Sequence, residues 1–164
     1  MELINLLTMK MIEFNNGDAK RIQHFIKVHR FAHLIAVGEG VDAHTQFIIE
    51  CAALVHDIGI RPAEEKYGKC DGKLQEQEGP AYARPMLEAL GLIDTDIERI
   101  CFLVGHHHTY NQIEGIDYQI LVEADFLVNF YEDHLKDDAI QSAVSHIFKT
   151  NTGKKLCALL YGGN

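Results

Sequence analysis

Ala52-Ala53-Leu54-Val55-His56-Asp57-Ile58-Gly59 is an apolar run that ends abruptly in an imidazole and a carboxylate. Just upstream, Phe47, Ile48, Cys51, Leu54 and Val55 recur at three- and four-residue spacing, the stripe of a helix, with Asp42 where an N-cap belongs. Gly59 halts that helix and Pro62 follows. A His-Asp pair at such a helix end is costly to bury without partners. Two arrangements satisfy it. A divalent cation takes a neutral imidazole nitrogen and an ionised carboxylate oxygen together. Alternatively, the two side chains hydrogen-bond each other at the helix C-terminus, where a partly charged imidazole is favoured.

Outward from this stretch the helical period continues and sustained two-residue alternation is absent, so the expected fold class is all-α. A first helix is expected over about Leu3–Phe14, and a second opens at Asp18 and ends near Gly38 to Gly40. Residues 59–74, rich in Gly and charge, read as a loop. Further helices are expected over about Gln75–Leu90, with Pro80 in its first turns, and Ile97–His107, capped by Asp94. The next carries Tyr118 to Phe130, another begins near Asp137 or Asp138, and a short one covers about Lys155–Leu160. The expectation is a compact single-domain helical bundle of about six to eight helices over 1–164, its core at about 19–130 and its C-terminal helices, 131–164, packed on that core.

Composition narrows the function classes. The 164 residues hold 24 acidic against 15 basic groups, a formal charge of −9, which argues against general nucleic-acid binding. No apolar stretch approaches bilayer length, so no membrane partner is expected. Glu2 stands where a signal peptide would be positive. Cys51, Cys70, Cys101 and Cys157 form no CxxC pair and read as reduced thiols, consistent with a cytoplasmic protein. The apolar first helix can pack on its own core or on another subunit, which leaves a homo-oligomer open. The unusual figure is ten histidines, and their positions carry the functional reading.

His24 interrupts the stripe Ile22, Phe25, Ile26, Val28, and Asp125 interrupts Leu121-Val122-Glu123-Ala124-Asp125-Phe126-Leu127. A carboxylate in that setting needs a cation or a strong donor. His24, His56, Asp57 and Asp125 together offer two nitrogens and two oxygens, a set suited to a divalent metal ion (Fe, Mn, Zn, Ni, Co or Mg). The order of a histidine, then His-Asp-Ile-Gly, then a late Ala-Asp, with the flanks His24-x-x-Lys27-Val28 and Ala52 to Gly59, resembles the HD-domain superfamily of metal-dependent phosphohydrolases. The resemblance covers about Ala19 to Asn129. It implies an HD-type domain and a metal-activated water cleaving a phosphomonoester or nucleotide-like phosphate ester, with a small phosphorylated substrate or nucleotide as partner.

Two-metal members of that superfamily use a His-His pair at a helix end, and His106-His107 match it in position. Neighbouring helical residues are rotated by about 100°, so three consecutive imidazoles cannot all face one point. The expected order is His106 first and His107 second, with His108 left as a surface or substrate-contact residue. The further histidine that these relatives carry is replaced here by Gln75. One metal is therefore expected, or else two with Glu78, one turn from Gln75, as the replacement ligand. Glu78 could instead serve as a general acid or base. Asp57, Glu78 and His106 are the catalytic candidates, and Lys27, Arg61, Lys73 and His108 the substrate-binding ones.

Other readings are weaker. Gly68-Lys69-Cys70-Asp71-Gly72-Lys73 is one residue short of a P-loop, and Leu74 stands where Ser or Thr is needed. His29 and His33 lie one turn apart with no carboxylate following in ligand-like context, so they read as helix surface. Asn129 could orient Asp125. The rival functions are an HD-type di-iron oxygenase, disfavoured by Gln75, and a non-catalytic metal-binding regulatory module, disfavoured by survival of all four ligands.

Overall fold

The Asp42 carboxylate accepts hydrogen bonds from the backbone N–H groups of His44 and Thr45, each at 3.0 Å, and this cap starts α3 (Ala43–Val55). The computed structural model describes residues 2–162. In it α3 is the central rod. Its residues from Cys51 to Val55 are all buried, because α1 (Leu3–Phe14), α2 (Ala19–Glu39), α6 (Asp94–Val104) and α7 (Ile116–Glu132) pack around it. Asp18 caps α2 by accepting from the Arg21 N–H at 3.0 Å, as expected. Leu7 and Met11 bury α1 against the chain's own core.

Among the described residues there are nine helices and no strand. The additional one is α4 (Ile60–Tyr67), where a loop was expected. Pro62 lies in its first turn, where the missing N–H has no intrahelical partner to lose, and Pro62 and Ala63 bury one face despite the surrounding charge. The following helix, α5 (Gly72–Ala89), is capped by Asp71 and so begins earlier than expected, which leaves Pro80 and Pro85 in its interior. Asp94 is not the cap of α6 but its first residue; with Asp96 it places negative charge in the first turn. α6 ends at Val104, leaving His106–His108 in a turn. The C-terminal pair, α8 (Asp137–Ile147) and α9 (Asn151–Tyr161), pack on each other, and α9 packs on α2 and α7. No helix among the described residues is long and apolar enough to cross a membrane.

Three contacts fix the positions that matter most. Gly59 ends the turn after α3, where a Cβ would collide with the backbone of Gln75 and Gly79, so glycine lets α5 come up against the His-Asp turn. Glu123 of α7 is fully buried and accepts from Lys149 N at 2.6 Å, Thr150 N at 3.0 Å, Thr150 Oγ1 at 2.5 Å and Gln119 Nε2 at 2.7 Å. It thereby anchors the start of α9. Between α2 and α3, His29 and His33 hold the two oxygens of Glu50 at 3.1 and 2.9 Å. The carboxylate missing from the local sequence is supplied across the helix pair. The hydrogen bond from His29, helped by Gln46 and His33, overcomes burial and holds the Glu50 carboxyl at about 2.

Two outcomes are expected. Glu123→Ala leaves several buried donors unpaired and should cost about 3 kcal/mol in urea denaturation. Glu50 has a folded pKa of about 2 against an ordinary 4.5, so its stabilisation is present above 4.5 and is lost as pH falls toward 2. Glu50→Gln should therefore be less stable than the wild type at pH 6, with the gap closing across that acid window.

Candidate metal centre

Packing of α2 and α7 against α3 brings His24, the His56-Asp57 turn and Asp125 to one point. His24 Nε2 lies 3.1 Å from Asp125 Oδ1, 3.3 Å from His56 Nε2 and 3.3 Å from Asp57 Oδ2. His56 Nε2 lies 3.4 Å from Asp57 Oδ2 and 3.5 Å from Asp125 Oδ1. His24, His56 and Asp57 form the tighter group, and Asp125 joins it through both imidazoles.

The other nitrogen of each ring is already committed. His56 Nδ1 donates to the Ala53 carbonyl at 2.8 Å, His107 Nδ1 to the Val104 carbonyl at 2.8 Å, and His24 Nδ1 to Glu132 Oε2 at 2.8 Å. Those oxygens can only accept, so the hydrogen of each neutral ring belongs on Nδ1 and the Nε2 lone pair faces inward. Burial opposes charge on Glu132, yet the hydrogen bonds from Lys27 and His24 outweigh it and hold its carboxyl below the ordinary value. The centre is therefore a meeting of acceptors that needs a positive charge. Burial opposes charge on His56, yet the Asp57 charge and the hydrogen bond to Asp125 raise its pKa well above the ordinary value. Burial likewise opposes charge on Asp57 and Asp125, yet the facing imidazoles hold both carboxyls low.

A divalent ion fits these donors, and His107 gives an independent reason. Its Nε2 is buried with no hydrogen-bond partner and lies 3.4 Å from Asp57 Oδ1. Asp57 thus faces two ways, Oδ2 toward His24 and His56, Oδ1 toward His107. Asp57, His107 and His108 make a second group able to hold a cation. His108 Nε2 is 2.9 Å from Gln75 Oε1, and burial, with the neighbouring His107, pushes its pKa down to about 4.

The fold does not gather every candidate here. His106 is exposed, donates from Nδ1 to the Phe102 carbonyl at 2.7 Å and stacks on the Phe102 ring. It faces away because α6 has already ended, so the turn and not helical rotation sets which imidazole points in; His107 does. Glu78 is held on the α4 side by Tyr67 Oη at 2.8 Å and Lys66 Nζ at 3.1 Å, and the Tyr67 hydrogen bond keeps its carboxyl low. It does not line the cavity over the centre; Gln75 does. Lys27 is bound to Glu132 Oε1 at 2.5 Å. Arg61 is bound to the Phe14 carbonyl at 2.7 Å and to Glu65, on a separate groove. Lys73 is exposed and outside the cavity. The cations that do line this cavity of about 570 Å³ are Lys20 and Arg21, and Asn129 lines it too.

Two contributors escaped the sequence reading. Glu132 lies seven residues, two helical turns, after Asp125, and that spacing was the available signal. Glu76 ties down the histidine turn by accepting from His108 N at 2.9 Å and Thr109 Oγ1 at 3.0 Å; nothing local in the sequence announces it.

A family model described as HD domain matches residues 21–153. The solved structure of a predicted HD superfamily hydrolase from an uncultured Thermotogales bacterium is 27% identical, with a TM-score of 0.66 over 98% of this chain and 83% of that one. No curated protein matches.

The two neighbouring imidazoles should separate cleanly. In equilibrium dialysis against Mn²⁺, His107→Ala is expected to bind less metal per chain than the wild type, and His106→Ala the same amount, by elemental analysis.

Proposed function

The chain belongs to the HD-domain family, and from that premise we propose that it is a metal-dependent phosphohydrolase acting on a phosphomonoester or nucleotide-like phosphate ester. The observation that carries the reading is the inward-facing donor set His24, His56, Asp57 and Asp125, which opens on a cavity rimmed by Lys20 and Arg21. The hydrolase description of the Thermotogales structure supports the reaction class. When bound, a divalent ion supplies a Lewis acid for phosphoryl oxygens and lowers the pKa of water.

The chain's own residues supply the rest. A cavity of about 570 Å³ lies in the range for small-molecule sites and suits a nucleotide-sized ester. Lys20 makes no ion pair among the described residues, so its ammonium is free for a phosphate at the rim. Arg21 divides its guanidinium between Asp18 at 3.3 Å and Glu64 at 2.6 Å, which holds it in place beside Lys20. His108, neutral near pH 7, and Gln75 also line the cavity, hydrogen-bonded to each other through Nε2 and Oε1. The buried Ala53 and Val104 carbonyls keep the His56 and His107 rings from rotating.

Metal analysis followed by a phosphate-release screen with Mn²⁺, Fe²⁺, Co²⁺, Ni²⁺, Zn²⁺ and Mg²⁺ tests the proposal. Activity with at least one ion is expected, with Asp57→Asn reduced by about a thousandfold or more and Lys20→Ala raising KM about tenfold at unchanged kcat. Oxygen uptake in place of phosphate release would reassign the chemistry to the oxygenase reading. Absence of bound metal and of activity with every ion would leave the regulatory-module reading.

A further inference from the structure

We propose that Glu132 is a positioning residue for His24: gripped on one oxygen by Lys27, its carboxylate fixes the ring with Nδ1 protonated and strengthens Nε2 as a metal ligand. The inference rests on the metal-centre reading above. Glu132 Oε2 takes the Nδ1 hydrogen at 2.8 Å while Oε1 takes Lys27 Nζ at 2.5 Å, and the glutamate side chain is only 13% exposed.

The arrangement is a closed circuit between two helices. α7 presents Asp125 and Glu132 on one face, two turns apart, so a single helix contacts both nitrogens of one imidazole. α2 returns both His24 and, one turn on, the lysine that pins the glutamate. His56 and His107 are oriented instead by backbone carbonyls of their own helices. Of the three inward-facing rings, His24 is therefore the one whose orientation depends on a side chain. An ionised carboxylate also makes its imidazole more basic than a carbonyl does, and losing such a partner typically costs about tenfold to a hundredfold in metal affinity.

The alternative role for Glu132 is simply to pair with Lys27, and the two roles predict different patterns. Co²⁺ is titrated into the metal-stripped full chain and followed by visible absorption, with circular dichroism to check folding. Asp125→Asn should abolish the site, and Glu132→Ala should bind about tenfold to a hundredfold more weakly. Glu132→Gln, which keeps an accepting oxygen, should fall between Glu132→Ala and the wild type. Lys27→Met, which unpins the carboxylate but leaves it on Nδ1, should weaken binding less than Glu132→Ala does. Nitrogen-15 spectra of the metal-free protein, taken at alkaline pH where the His24 ring is neutral, should show it as one tautomer in the wild type and as a mixture in Glu132→Ala. If Asp125→Asn loses Co²⁺ while Glu132→Ala binds less than tenfold more weakly, or no more weakly than Lys27→Met, the positioning role is overturned and the metal centre stands. A wild type that takes up no Co²⁺, or an Asp125→Asn that binds it equally well, overturns the metal reading and this inference with it.

Discussion

Three imidazoles point their accepting nitrogens at two carboxylates inside a helical bundle, with separations of 3.1 to 3.5 Å between facing atoms. Acceptors do not satisfy acceptors, and burial removes the water that would otherwise do so. A positive charge at the centre is the simplest resolution, and much of the surrounding structure serves to keep the rings from turning away from it. Two of the three are held by the same local device. His56 and His107 each lie just beyond a helix end and donate to a carbonyl three residues back, using an acceptor that the helix terminus leaves without an intrahelical partner. The end of a helix thus orients a ligand at no cost in additional side chains.

That device explains why the His-Asp stretch was so readable. An apolar helix that stops at His56-Asp57 places both groups at the edge of the core, and the periodic apolar stripes around His24 and Asp125 mark those residues as facing inward. Caps at Asp18 and Asp42, and the end near Gly40, are local chemistry and appear in the structure where the sequence puts them, while α3 stops at Val55, before the His-Asp pair. The unread parts depend on partners distant in the chain. Lys27, Arg61 and Glu78 each looked available, yet their partners come from α7, the end of α1 and α4. The choice between His106 and His107 turned on where α6 stops, and an error of three residues there exchanges an inward ring for an exposed one. α4 was missed because charge density masked a short buried face consisting of only Pro62 and Ala63.

The net charge of −9 also looks different once the pairs are known. Near the cavity most cations are neutralised: Lys27 by Glu132, Arg21 by Asp18 and Glu64, Lys66 by Glu78. These pairs position side chains more than they create a field that would attract an anion, since exposed pairs contribute little and are screened. An acidic chain that binds a phosphate ester must therefore concentrate positive charge at one place. Under the proposed function the buried donor set would do that by holding a divalent ion, with Lys20 adding to it at the rim.

The same reasoning bears on Gln75. Where the resemblance to two-metal members implies an imidazole, this chain has a neutral amide whose oxygen is 2.9 Å from His108 Nε2. The amide is a weak ligand but a good hydrogen-bond partner, so His108 is restrained by Gln75 while His107, beside it, is left with an unpartnered nitrogen toward Asp57. The two halves of the centre are consequently unequal. The half built on His24, His56, Asp57 and Asp125 has four donors, with both imidazoles oriented by hydrogen bonds. The half built on Asp57, His107 and His108 has three, one of them engaged elsewhere. A cation should therefore be held more strongly in the first half, and any second one should exchange more readily, which makes Asp57, shared by both, the residue on which the whole centre turns.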